Sequence, residues 1–418
     1  MKWIWGIYSI LILSWVIYLN PHIFHAPRGD SRRQFLQKPV VPVPHFFKYS
    51  DITAHPKIFL YRQNQQRTGI FRDQDLHPMS RPLWRIPDFN IANHGASKSS
   101  PISDGSSLYI GSDQSFFARI NHLGKMDWKI QSTAARGIHG SALIVDDTVF
   151  WGDYNGILYS ANKNSGDINW LIDLGDTIGS SPNYNRGSVL VSVEVFSKAN
   201  GFMARVDAKT GKVIWLSPYF GSHPHSSPAL SSDLNTIYVG ANSNYLFAID
   251  FETGKTNWKF QVDGPIKGTP AVWKDDIYFG SWDGYLYRIN NKGQMIWRAP
   301  VNDKCQSSPT FSEKNGLVFI SSNAGKTFAF NINDGKKVWE HVGTGNFMSS
   351  PDLLIDEKSK KESVYANCYV YSLCQFEPAT GKILRQFKFE SRLSSVPLFE
   401  NGSMYFSLDS KGGFVKWY

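Results

Sequence analysis

The sequence predicts an all-β protein: one eight-bladed β-propeller of four-stranded antiparallel blades, with the last blade shared between N-terminal and C-terminal strands. Three observations predict it. A Ser-Ser-Pro type of phrase recurs eight times along the chain, and a strand ending in tryptophan recurs in step with it. The composition agrees: 15% of the 418 residues are aromatic, and 34 Gly with 21 Pro supply turns between many short strands. A repeat of about 42 residues that carries four strand signals is one propeller blade.

The segment Ser226–Trp258 shows the four signals most clearly. Ser-Ser-Pro opens a short inner strand, IYVG is a buried second strand, YLFAID alternates faces as a third, and the turn FETGK leads to a fourth that carries Trp258. The opening recurs at Pro101, Ala142, Pro182, Pro228, Pro270, Pro309, Pro351 and Pro397. The closing tryptophans are Trp84, Trp128, Trp170, Trp215, Trp258, Trp297 and Trp339, and Arg385 stands in the eighth place. An indole can bury its face between adjacent blades while its N–H finds a backbone acceptor, so these residues are docking elements. Arg385 cannot do the same, and the seventh blade is expected to pack less well.

The offset between the two series predicts how the ring closes. The Trp84 strand precedes the first opening, whereas the last opening at Pro397 is followed by MYFSL and GFVKWY with no tryptophan turn of its own. The N-terminal strand therefore completes the blade that the C-terminus begins, which leaves no free sheet edge at the junction. Within each repeat, the glycine of TGK (Gly211, Gly254, Gly381) suits the left-handed conformation of a tight hairpin. Asp207, Asp250 and Asn331 precede that turn with side chains short enough to bond its amides.

Outside the repeats, Trp3 to Leu19 is an uncharged apolar run whose length is at the lower edge of a membrane-spanning helix, with Trp3, Trp5, Trp15 and Tyr18 near its ends. Residues 1–20 are expected to be an uncleaved anchor. The rival is a signal peptide, and its best cleavage site after Ala26 is followed by Pro27. Residues 21–58, with Pro39, Pro42, Pro44 and Pro56, read as an extended spacer, and the propeller spans 59–418.

The net charge of +9 is concentrated at this end. Residues 1–60 hold seven basic and two acidic residues, which fits a segment beside anionic lipid. The repeats carry no Lys/Arg stripe interleaved with aromatics, which argues against a nucleic-acid groove. Cys305, Cys368 and Cys374 form no CxxC or haem motif. Cys368 and Cys374 flank one hairpin turn, where they either pair in an oxidising compartment or serve as small buried thiols.

The phrases AIDFETGKTNW, RVDAKTGKVIW and FNINDGKKVW resemble the tryptophan-docking motif of the pyrroloquinoline-quinone-like propeller family, and YRQNQQRTG (Tyr61 to Gly69) resembles the lead-in to its first blade. The resemblance covers roughly residues 59–418. It implies one of two functions. The quinoprotein dehydrogenases hold the quinone and Ca²⁺ in a central funnel, and the non-catalytic branch, which the outer-membrane protein assembly lipoprotein exemplifies, binds partner proteins. The charges flanking the apolar run, taken alone, favour a cytoplasmic C-terminal domain. The resemblance implies the opposite, a propeller outside the cytoplasm on the outer face of the inner membrane, and that placement is adopted.

In such a ring the residue before each inner strand faces the central channel. Those residues here are Lys98, His139, Gly179, His225, Lys267, Gln306, Met348 and Ser394. Lys98, His139, His225, Lys267 and Gln306 make a cationic funnel suited to an anionic ligand. The competing reading is a rim of solvated polar side chains. A Ca²⁺ site needs several oxygen donors, usually carboxylates, and this ring offers none. No catalytic residue emerges. The sequence thus points to a membrane-tethered, non-enzymatic scaffold that binds proteins through rim loops without a cofactor. The alternatives are a quinone-dependent oxidoreductase with an atypical funnel and an extracytoplasmic ligand sensor.

Overall fold

A computed structural model describes residues 41–42, 55–76, 81–90, 99–132, 137–347, 349–393, 395–409 and 412–418. The expected anchor, residues 1–20, lies outside them, as do Lys98, Met348 and Ser394. No helix among the described residues is long and apolar enough to cross a membrane.

Eight antiparallel four-stranded units make the ring. Blades 1 to 7 span 102–131, 143–173, 183–216, 229–261, 271–300, 310–342 and 352–388. Blade 8 combines Leu398–Glu400, Ser403–Leu408 and Gly413–Trp417 with Pro82–Ile86, where Val415 pairs with Arg85 and Lys416 with Trp84. The shared closing blade is as the repeat offset predicts. Second strands such as Thr148–Gly152 lie between neighbouring blades and are buried throughout, so they read as continuous apolar runs. Outer strands such as Thr256–Gln261 alternate between partial burial and exposure.

Every outer strand carries one irregularity, in all eight blades, beside the tryptophan position. In blade 4, Trp258 pairs with Ala248 but Thr256 pairs with Ile249, so Asn257 is the extra residue. A bulge bends the strand and re-aims the next side chain. The indole is thereby turned onto the next blade, where its N–H donates to a turn carbonyl. Trp84 reaches His122, Trp128 reaches Lys163, Trp170 reaches Ala208 and Trp215 reaches Phe251. Trp258, Trp297 and Trp339 bond Asn291, Ile332 and Pro378 in the same way. The ring face lies on the turn glycine: a Cβ on Gly254 (φ 69°) would stand 2.6 Å from the Trp215 indole. That glycine thus serves both the turn's positive φ and the indole's close approach.

A second set of bonds circles the channel. The amide of Ser100 donates to the hydroxyl of Ser141, Ser141 to Ser181, Ser181 to Ser227, Ser227 to Thr269, Thr269 to Ser308, and Ser308 to Ser350. Val396 donates to Ser100 and so links blade 8 to blade 1. Having no hydroxyl, Val396 cannot take the Ser350 link, so the circle lapses between blades 7 and 8. The tryptophan series lapses at the same junction, at Arg385.

The lead-in covers this seam. Ile58–Leu60 pairs antiparallel with the inner strand of blade 2, and Ile70–Asp73 pairs parallel with Asp352–Asp356 of blade 7. Phe71 and Leu76 are buried with Tyr365, Phe387, Phe399 and other residues of blades 7 and 8. Arg385 does not act as an eighth tryptophan. Its guanidinium ion-pairs with Asp75 at 2.9 Å and donates to the Leu76 carbonyl, while Tyr365 and Gln375 also bond Asp75. One segment of the expected spacer is also paired: Val41–Pro42 runs antiparallel along the outer strand of blade 2.

These contacts predict different consequences for two substitutions. Trp170→Ala removes an indole that is 1% exposed and should lower the unfolding free energy in urea by about 3–5 kcal/mol. Asp75→Ala should cost about 1–3 kcal/mol. Its added hydrogen exchange should be confined to blades 7 and 8, and a uniform increase around the ring would contradict the seam.

Candidate functional site

The channel is closed at one end by residues 61–69, which cross between blades 2 and 7. Arg67 is fully buried and spends its donors on carbonyls: Pro228, Tyr61, Ser181 and Pro182. Burial lowers its guanidinium to about 9. Arg62 donates to the carbonyls of Pro309 and Pro351 and ion-pairs with Asp352 at 3.3 Å, both side chains being inaccessible to solvent. Inner-strand carbonyls that face the axis have no further strand to accept from, and two arginine forks satisfy them. Burial pushes Asp352 up to about 7, against the pull of Arg62.

Above this plug is a cavity of about 100 Å³, open to solvent and lined in part by Tyr61. Its wall is the circle of hydroxyls, and its mouth carries His139, Gly179, His225, Lys267 and Gln306. The structure therefore gathers four of the five predicted funnel residues around one cavity. His139 is buried against Tyr154, ring centroids 4.3 Å apart.

Glu194 escaped the sequence reading. The second strand of blade 3 runs eight residues, Ser188–Val195, where its counterpart in blade 4 has five, and the added length lifts Glu194 to the mouth. The carboxylate is 3% exposed; one oxygen lies 2.8 Å from His225 Nδ1 and the other 3.2 Å from His223 Nδ1. Burial raises its pKa, but the imidazoles of His225 and His223 reverse this and hold it below the usual carboxylate range. These two histidines are thus committed to a carboxylate. Nothing in their i, i+2 spacing signals it, because the partner comes from another strand.

Blade 5 adds a second feature. The Trp282 indole, in the turn between the second and third strands, has the Lys267 ammonium 4.0 Å from its centroid and that of Lys304 at 4.8 Å. Burial lowers Lys267, against the attraction of Glu194. On the blade 7 rim, Cys368 and Cys374 form a disulfide that braces the hairpin ending in Tyr369, Val370 and Tyr371, all three exposed. Of the two alternatives for these cysteines, the structure takes the bond. Burial pushes the remaining thiol, Cys305, up to about 12.

No group of three or more His, Cys, Asp or Glu side chains among the described residues is arranged to hold a metal. The cavity lining contains no carboxylate, and both oxygens of the nearby Glu194 are engaged, so these donors do not fit Ca²⁺ with a quinone.

Residues 83–217 and 199–359 match the family model described as outer membrane protein assembly factor BamB. The chain belongs to this family. It is 24% identical over 276 residues to the outer membrane protein assembly factor BamB of Moranella endobia, covering 60% of this chain and 71% of that protein. The crystal structure of BamB from Moraxella catarrhalis superposes with a TM-score of 0.62 at 18% identity, covering 81% of this chain and 99% of that one. A europium-containing methanol dehydrogenase superposes with a TM-score of 0.67 at 14% identity, over 84% and 89% of the two chains. Likeness at these identities establishes the shared ring alone.

The Asp352 environment gives a pH prediction. Its folded pKa lies above the unfolded value, so its contribution to stability is complete below the ordinary aspartate range and is lost as pH rises toward about 7. The stability difference between Asp352→Asn and the parent should therefore shift in favour of the variant between pH 4 and about 7, measured by urea unfolding. A difference independent of pH would refute this.

Proposed function

We propose that the protein is a non-enzymatic scaffold of the cell envelope that contributes to outer-membrane protein assembly. It is tethered to the inner membrane by its N-terminal segment, holds its propeller in the periplasm and binds partner proteins through its rim loops. The family match over 83–359 carries this reading, since it covers most of the ring. Two features support it. The funnel donors do not suit the metal-quinone chemistry of the dehydrogenases with the same ring. The Cys368–Cys374 disulfide suits an oxidising compartment and stiffens an exposed Tyr-Val-Tyr tip of the kind that anchors protein contacts.

Cells lacking the protein should hold less β-barrel protein in the outer-membrane fraction, with full restoration by the parent gene. Unchanged barrel levels would exclude the assembly role. An alkaline-phosphatase fusion to the C-terminus should be active, and an inactive fusion with intact protein would move the propeller out of the periplasm. Pyrroloquinoline quinone with Ca²⁺ should leave the melting temperature unaltered and support no dye reduction; a clear shift with turnover would favour the oxidoreductase reading.

A further inference from the structure

The channel wall has a hydrogen-bonding polarity that the scaffold role does not use. Each of the hydroxyls of Ser100, Ser141, Ser181, Ser227, Thr269 and Ser308 accepts an amide N–H from the preceding blade. A hydroxyl that accepts from an amide still has its own proton to donate. All six line the cavity, and they therefore present donors to whatever fills it.

The mouth has the same bias. Lys267, which is half-buried, brings an ammonium with three donors and no acceptor, and Gln306 brings an amide whose NH₂ can donate and whose oxygen can accept. Among the described residues no carboxylate lies within ion-pair distance of Lys267 or Lys304; both cations instead lie over the Trp282 ring. The nearby negative charge, Glu194, is engaged by His223 and His225. A half-buried ammonium with no contacting carboxylate, above a cavity lined by hydroxyl donors, favours an anionic ligand that accepts.

We infer that the funnel binds a carboxylate-bearing ligand, with Lys267 as its charge partner, Lys304 and Trp282 behind it as the group that positions its ammonium, and the Gln306 amide NH₂ with the serine hydroxyls as neutral donors. Phosphate fits less well. It calls for several cationic forks or a nest of free backbone amides, whereas the two funnel arginines are capped by carbonyls and the channel-facing amides are consumed in the circle. The carboxylate can come from a small acid or from an acidic peptide. This inference is independent of the assembly role.

Isothermal titration of the full chain at low salt tests it, with citrate, an aspartate-rich hexapeptide and inorganic phosphate as probes. Citrate or the peptide should bind with one site and more tightly than phosphate, and the tighter of the two identifies the source of the carboxylate. Lys267→Ala should weaken that binding about tenfold or more, and Lys304→Ala by a smaller factor, with unliganded melting temperatures close to the parent's. Lys267→Arg should retain most of the affinity, which a merely structural role for the side chain's length would not require. Absence of binding by both carboxylate probes, equal binding by the Lys267→Ala variant, or phosphate binding as tight as citrate would each overturn the inference.

Discussion

Closure of the ring depends on a bond repeated from blade to blade, the indole N–H donated to a turn carbonyl of the following blade. Three local features must coincide for it to form. A bulge in the outer strand aims the ring, the partner turn exposes a carbonyl, and a glycine in that turn removes the Cβ that would strike the indole. The amide-to-hydroxyl circle does for the channel side what the indoles do for the outside, and its reach sets how near the inner strands come to the axis. With both in place, adjacent blades are pinned at two radii, and the apolar second strands are buried on both faces.

Where both pins lapse together, between blades 7 and 8, the chain uses a different material. The lead-in contributes a parallel strand to blade 7 and buries Phe71 and Leu76 at the junction. Its Asp75 gathers Arg385, Tyr365 and Gln375. The same segment supplies Arg62 and Arg67 to the channel floor, so sealing the seam and plugging the channel are one act of folding. Because the lead-in precedes the ring in sequence yet pairs with its seventh blade, long-range closure has to bring the two together before Arg62 finds the carbonyls of Pro309 and Pro351, whereas Arg67 meets its acceptors at blades 3 and 4.

How much of this was legible follows from what repeats. The tryptophans, turn glycines and serines recur in register, so blade number, shared closure and the five nominated funnel positions could be read from spacing; four of those positions line the cavity and the fifth, Lys98, is outside the described residues. Arg385 was visible as an exception, but its partner was not, since Asp75 lies 310 positions away. Glu194 and Trp282 belong to strand extensions and turns that vary among blades, so no period marks them. Nothing in the lead-in phrase marks Arg67, because its acceptors are backbone carbonyls, which side-chain identity does not encode.

The distribution of charge between plug and mouth explains why the funnel has polarity along its axis. At the floor, the Arg67 charge is spread over carbonyls and that of Arg62 over carbonyls and Asp352, so little of either reaches the cavity. At the mouth, the Glu194 carboxylate is engaged by two histidines, while the Lys267 ammonium lies over the Trp282 ring and feels Glu194 only from beyond ion-pair distance. Because that ammonium is half-buried, less water screens it than would screen a rim lysine, and its attraction is felt within the cavity more than across the outer surface. Trp282 beside Lys267 and the exposed tip at Tyr369, Val370 and Tyr371 both sit where a second strand turns into a third, so what distinguishes the two places is the side chains those turns carry.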